Sequence, residues 1–432
     1  MNCLKIFLVL LIGSNLSIAQ DKKPNIIFIL ADDLGIDGVG AYGADFFKTP
    51  SIDKLAKEGI RYTNAYTVPL CGPSRALILT GRYGFRTGAV NQDMTGDMKP
   101  SVETMMPSIL KKAGYATSMI GKWGQLPLGP AEFGFDDYLR FFGSGVYVNE
   151  TDKKEKYVVN GKDVLLKSGE YMPDLMHNHM VNFLTQHKKD PFYLYYSLSH
   201  VHGEIIATPD TKPGTTDYKD LYADNISYMD KLVGKLVHTL DSLKLRENTL
   251  IVFFGDNGTA GQAASIGRIH GQKLVGKKGT MQEGGSLVPM IVNWPGMIKK
   301  PGVSNNLIDA ADFIPTFAEI AGAPLPTNSV LDGVSFAYQL KGTKGTAREW
   351  IFTELGKDWY VRSANWKLMR SGDLYDMRKA PFEEKLAVLD EKTIVEKQKL
   401  QAILDKLNPG GGILDNGDGS GRHATKTKTK NQ

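Results

Sequence analysis

The sequence predicts an α/β protein: a large, mostly parallel central sheet flanked by helices, followed by a smaller C-terminal α+β subdomain. Three observations predict it. Residues 25–31 form a continuous β-rich apolar run, the pattern of a strand covered on both faces, and runs at 116–120, 192–197, 250–254 and 287–293 repeat it. Helical patterns separate these runs, as a parallel sheet requires of its crossovers. After about Pro326 the alternation gives way to short strand-like pieces and one charged helix.

Taken in order, residues 1–20 read as an export signal, with Lys5 as the basic flank, an apolar stretch over 6–12, and Ser17-Ile18-Ala19 as the cleavage region. That stretch is well short of the roughly 20 apolar residues a membrane span needs, and no later segment reaches that length. Localisation is therefore expected to be exported, periplasmic or secreted, with no membrane span. Ser51 is placed to cap a helix through Lys57, and Ser101 one that ends before Gly114. Over 218–243, Leu232, Val233, Leu236, Val237 and Leu240 recur at helical spacing. Strand-like pieces at 350–353, 359–362 and 366–369 precede a charged helical pattern over 383–407. The expected division is a signal peptide over 1–20, an α/β domain carrying the site over 21–335, and a subdomain of small antiparallel sheet plus helix over 336–408. A Gly-rich, then Lys/Thr-rich tail over 409–432 is expected to be disordered.

Composition narrows the function classes. A chain with 42% hydrophobic and 23% charged residues is an ordinary packed protein, not a collagen-like or low-complexity one. A net charge of +5 suits anionic partners but is too small for a nucleic-acid footprint. The two cysteines, Cys3 and Cys71, build neither a disulfide framework nor a zinc cluster. Signal cleavage would leave Cys71 alone, either as a buried small hydrophobe or as a residue with special chemistry.

In parallel sheets, ligands sit beyond the carboxyl ends of the strands. Asp32 and Asp33 follow the first run directly, and Asp256 and Asn257 follow the run at 250–254. Adjacent like charges at a strand end repel unless something neutralises them. Carboxylates with an asparagine carbonyl are hard oxygen ligands of the kind Ca²⁺ or Mg²⁺ prefers. Either pair alone also suits a solvated turn; two pairs at one sheet edge favour a divalent cation.

The segment Cys71-Gly72-Pro73-Ser74-Arg75, with Leu79-Thr80-Gly81-Arg82 after it, resembles the formylglycine-dependent sulfatases of the alkaline-phosphatase superfamily. The resemblance extends to Phe28-Ile29-Leu30-Ala31-Asp32-Asp33-Leu34-Gly35, Thr49-Pro50-Ser51-Ile52-Asp53-Lys54-Leu55-Ala56 and Gly121-Lys122-Trp123. It continues through Gly255-Asp256-Asn257-Gly258, Gly276-Lys277-Lys278-Gly279, Glu283-Gly284-Gly285 and Leu374-Tyr375-Asp376-Met377, so that it covers residues 24–385.

The resemblance implies an alkaline-phosphatase-like fold and an exported enzyme that hydrolyses sulfate esters, most readily on a sulfated carbohydrate. A maturation enzyme would oxidise Cys71 to formylglycine. The metal, Ca²⁺ or alternatively Mg²⁺, would be held by Asp32, Asp33, Asp256, Asn257 and modified Cys71. In the family, the hydrated aldehyde attacks sulfur, the alcohol leaves, and the second hydroxyl collapses to expel sulfate. Arg75 would hold the diol. Lys122 and Lys278 would contact sulfate oxygens, with Lys277 the competing candidate for the second position. His202, with His200 second, would contact sulfate and assist the leaving group, and His270, between the second acidic pair and Lys278, is a further candidate to reach the pocket. Tyr147, Trp359 and Tyr360 are candidates for sugar-facing loops. Two positions depart from the family: Gly124 stands where a histidine is common and Leu287 where an arginine is frequent. His200, His270 or water would then replace the missing base. The alternatives on the same scaffold are an arylsulfatase, a phosphodiesterase or phosphonate monoester hydrolase, and a non-catalytic sulfoglycan-binding protein.

Overall fold

Ten strands of one sheet run in the spatial order β10-β2-β9-β8-β1-β7-β3-β4-β5-β6. They are β1 (Asn25–Ala31), β2 (Ile60–Tyr66), β3 (Ala116–Lys122), β4 (Asp137–Phe141), β5 (Lys156–Val159), β6 (Lys162–Leu165), β7 (Phe192–Leu198), β8 (Thr249–Gly255), β9 (Met290–Asn293) and β10 (Gly302–Asp309). The computed structural model describes residues 22–411 apart from 94, 96–97, 144 and 150–154. The expected signal over 1–20 lies outside the described residues, and so does the expected tail over 409–432 except for 409–411, which form a turn in which Pro409 is buried and the Gly411 N–H donates to the Asn408 carbonyl.

The five strands from β8 to β4 are parallel neighbours, and β2 pairs parallel with β10. β9 runs against both β2 and β8, and β5 against β4 and β6. The carboxyl ends of β1, β3, β7 and β8 therefore open on one edge.

β1 is buried on both faces, which is why its apolar run is continuous rather than alternating. Ile26, Phe28 and Leu30 face a layer containing α2 (Cys71–Thr80) and α5 (Phe313–Ala321). Ile27, Ile29 and Ala31 face the opposite layer, containing α1 (Pro50–Lys57), α3 (Met172–Gln186) and α4 (Tyr218–Ser242). Each large apolar side chain so buried contributes about 1.5–3 kcal/mol.

A second sheet is antiparallel throughout: β11 (Trp350–Leu355), β12 (Asp358–Ser363), β13 (Trp366–Met369), β14 (Leu374–Asp376) and β15 (Glu384–Lys385). Helix α6 (Glu391–Leu407) packs Leu400, Leu404 and Leu407 into the same apolar cluster as Val361 and Leu368. This sheet abuts the loop after β8: the Tyr360 hydroxyl lies 2.6 Å from Ser286 Oγ, and Lys367 Nζ is 3.5 Å from Glu283 Oε1.

Local expectations are corrected at four places. Thr49, not Ser51, occupies the cap position of α1, and the Ser51 and Ile52 N–H groups donate to the Asp230 carboxylate of α4. The helix expected from Ser101 forms only over Met106–Lys111, with Pro107 in its first turn. Strand β9 begins at Met290, because Glu283–Ser286 takes a helical turn first. Helix α6 begins at Glu391, where the Asp390 side chain accepts from the Thr393 N–H; residues 384–385 are instead paired with β14. Tyr147 and Tyr360 are buried and hydrogen-bonded, so neither faces a sugar, and Arg370 covers the half-buried Trp359 ring. No helix among the described residues is long and apolar enough to cross a membrane.

Candidate active site

The common strand edge gathers nine of the predicted side chains. Asp32 and Asp33 leave β1, Asp256 and Asn257 leave β8, and Lys122 ends β3. Asp33 has φ of +59°, a left-handed conformation that aspartate tolerates better than most residues, and its N–H donates to Asp256 Oδ1 at 3.0 Å. Cys71 opens α2, and Arg75 follows one turn later on the same face. The Arg75 guanidinium donates to Asp256 Oδ2 (2.8 Å), the Lys122 carbonyl (2.8 Å) and Ser197 Oγ (2.5 Å). Lys122 Nζ donates to Asp32 Oδ2 at 2.5 Å, and Lys278 Nζ pairs with Asp33 Oδ1 at 2.6 Å. His202 Nε2 lies 3.8 Å from Asp33 Oδ2.

The donor set fits a hard divalent cation. One ligand atom from each of Asp32, Asp33 and Asp256 lies within 4.8 Å of the others, and the same holds for Asp32, Cys71 and His202. Asp32 Oδ1 and Asn257 Oδ1 are buried and lack a hydrogen-bond partner. Leaving such an oxygen unpaired costs about 1–3 kcal/mol, a cost that a cation bound between them removes.

Burial and the neighbouring Asp32 lift the Asp256 carboxyl to about 6, against the pull of Arg75. Burial also pushes the Cys71 thiol up, so the helix mouth does not hold an activated thiolate. Burial, helped by Lys122, presses the His202 imidazole down to about 4. For Lys278, burial opposes the charge, but Asp33 outweighs it and holds the ammonium above its ordinary value.

Residues 24–323 match the family described as Sulfatase, and residues 273–409 match N-sulphoglucosamine sulphohydrolase, C-terminal. The chain belongs to the sulfatase family. It is 32% identical to an arylsulfatase of Hemicentrotus pulcherrimus, over 76% of this chain and 64% of that one. It is 33% identical to an N-acetylgalactosamine-6-sulfatase of Rattus norvegicus, over 74% of this chain and 66% of that one. The chain thus spans slightly less than two thirds of either relative. An N-acetylgalactosamine-6-O-sulfatase of Bacteroides thetaiotaomicron is 29% identical over 85% of this chain and 87% of its own. Among solved structures, that of Ps i-CgsB in complex with k-i-k-neocarrahexaose superposes with a TM-score of 0.78 at 29% identity, covering 90% of this chain and 92% of that one.

Two expected residues are not brought to this sulfatase-family site. His200 is fully buried and packs against the rings of Tyr147, Tyr171 and Tyr228, with Nε2 3.4 Å from the Tyr171 hydroxyl. Burial alone depresses it to about 3, with no charged neighbour acting on it. His270 is exposed at the rim of a separate cavity. The lysine ambiguity resolves geometrically, since Lys277 is exposed while Lys278 pairs with Asp33. Gly124 adopts φ of +79°, and a Cβ there would meet Arg75 Cδ at 3.1 Å, so this position adjoins the arginine with no imidazole to offer. Leu287 is buried in the apolar layer.

Sequence reasoning missed Ser197 and Gln92. Gln92 lies against Cys71, with Nε2 3.6 Å from Sγ and Oε1 accepting the Gly72 N–H at 3.1 Å. Ser197 sits near the carboxyl end of β7, where the sheet-edge rule would have found it. Gln92 lies in an irregular segment and carries no sequence signal.

Proposed function

We propose that the protein is an exported sulfatase that hydrolyses sulfate esters of a carbohydrate, using formylglycine made from Cys71 by a maturation enzyme. One observation carries the reading: Cys71 stands at the mouth of α2 among three carboxylates, with Arg75, Lys122 and Lys278 within the same cluster. A sulfate monoester is an anion that repels nucleophiles, and fixed cations around its oxygens lower that barrier.

Asp32, Asp33, Asp256 and Asn257, with residue 71, are the residues to hold Ca²⁺ or Mg²⁺; such an ion, when bound, polarises sulfate oxygens and favours the deprotonated form of a coordinated hydroxyl. Formylglycine supplies an oxygen nucleophile and a route for expelling sulfate that a serine lacks. The chain's own residues orient both. Arg75, fixed by three acceptors, holds the side chain at 71 in place. Lys122 and Lys278 act as point charges on sulfate oxygens. His202, kept neutral near pH 7, offers one ring N–H to the leaving oxygen or to sulfate. With neither His200 nor His270 at the centre, water is the remaining candidate for the base that Gly124 does not provide.

The substrate class is supported by relatives named for sulfated sugars and by the oligosaccharide complex of a similar structure. Export is supported by the residues 1–20 pattern. We assign the site to an α/β domain over 21–335 and the small sheet with α6 to a subdomain over 336–408. Mass analysis of the residue-71 peptide from mature protein is expected to give an aldehyde. A thiol there, in protein that releases sulfate at full rate, overturns the reading.

A further inference from the structure

A second recess opens between the β2–β10 edge of the large sheet and the small sheet. Its main cavity measures about 620 Å³, the size of a small-ligand site. A neighbouring cavity of about 460 Å³ shares Asn305, Ala364, Asn365 and Arg378 with it. The larger cavity is lined by Arg61, Arg362, Arg378 and His270. Arg378 already donates from Nε to the Asp376 carboxylate at 2.9 Å, which leaves Arg61 and Arg362 as the cations available to an anion. The neighbouring cavity adds Glu349 and Glu396 beside Arg348 and Lys392.

Its floor is a cation short of partners. Arg362 is fully buried over the Tyr66 ring, and its Nη2 donates to Asn64 Oδ1 at 3.2 Å. Its Nε and Nη1 make no hydrogen bond, and the nearest carboxylate oxygen, on Glu283, stands 3.7 Å from Nη1. Burial lowers the Arg362 pKa to about 9, consistent with that shortage. Polar walls complete the recess. The β2–β10 pairing register shifts between Ser304 and Leu307, which frees Asn305 and Asn306 from the ladder. Thr63 then donates to Asn305 Oδ1 at 2.8 Å and fixes that amide. Arginine forks suit sulfate or carboxylate oxygens, and amides suit sugar hydroxyls. The connection that delivers Lys278 to Asp33 also carries Ile269 and His270 to this recess.

We propose that the recess, whose lining shares no residue with the catalytic cluster, binds an anionic, sulfated segment of a carbohydrate chain. The substrate class rests on the sulfatase reading; the recess itself rests on its own residues. Ala364 is exposed, lines both cavities and belongs to no part of the catalytic cluster, so Ala364→Glu and Ala364→Lys test the charge of the site without disturbing the fold. The probe is a short dextran sulfate oligosaccharide bound to the full chain at low salt, with unsulfated dextran of the same length as control. Ala364→Glu is expected to weaken binding about ten-fold, while Ala364→Lys binds at least as well as the parent. Turnover of a small aryl sulfate is expected to be the same in all three. Unchanged binding by Ala364→Glu, equal weakening by both variants, or equal binding of unsulfated dextran overturns the proposal. Parent protein that carries the aldehyde yet releases no sulfate from any ester would sink the sulfatase reading instead, and the binding comparison would still decide the recess.

Discussion

Two lysines one residue apart have opposite environments. Lys277 is exposed and Lys278 is ion-paired with Asp33 beside the thiol. Lys278→Ala is expected to lower kcat for sulfate release by about 10²-fold, the scale of losing one fixed stabiliser of developing charge, while Lys277→Ala turns over like the parent. Steady-state assays on one ester separate them. The unpartnered oxygens of Asp32 and Asn257 make a second prediction. Ca²⁺ at about 100 times its Kd is expected to stabilise the fold by about 2.7 kcal/mol, read as a rise in Tm that chelator reverses and that Asp256→Ala abolishes. At this scale the acidic pairs and Cys71 were legible because their chemistry is local. His200 was not: only its tyrosine surroundings show that it belongs to packing.

Strand β3 has to bring Lys122 and its carbonyl to Arg75 while running beside β7. Gly121 makes this possible. Its φ is +109°, and a Cβ there would lie 2.0 Å from the Ser197 carbonyl oxygen. Gly121→Ala is expected to cost about 3 kcal/mol, seen as a lower denaturant midpoint with unchanged slope, and to lower activity because Ser197 and Lys122 both hold Arg75. Element identity was readable where burial is two-sided, as in β1, β7 and β8. Element ends were not. The first-turn N–H groups of α1 donate to the Asp230 carboxylate, which is 179 residues distant from Ser51, so the serine at its start is not needed as a cap.

The small sheet supports the reaction centre through buried polar contacts rather than by supplying its residues. Glu354 of β11 is fully buried and accepts the Phe85 N–H at 2.8 Å, just beyond α2. Burial raises its carboxyl from 4.5 to about 8. Between those values the folded chain keeps a proton that the unfolded chain has lost. The associated stability is full below about pH 4.5 and disappears as pH rises through about 8. Glu354→Gln keeps the acceptor without the titration. Its Tm is therefore expected to fall less than the parent's between about pH 5 and pH 9, by a margin on the order of a few kcal/mol in stability. Parallel Tm curves for the two proteins would contradict this assignment.

The amino-acid order alone determined the α/β class, the metal-type acidic pairs at two strand ends, and the cysteine and arginine one turn apart on a helix. Each of these is written in short-range pattern: apolar continuity, adjacent charges and helical spacing. Tertiary structure alone decided that Ser197, 122 residues from Arg75 in sequence, fixes the guanidinium, that Gln92 lies against the thiol, and that His200, the second choice after His202, packs among tyrosine rings instead. Those assignments depend on which distant segments share a sheet edge, and a local pattern encodes the burial of its own segment but not the identity of the segment folded against it.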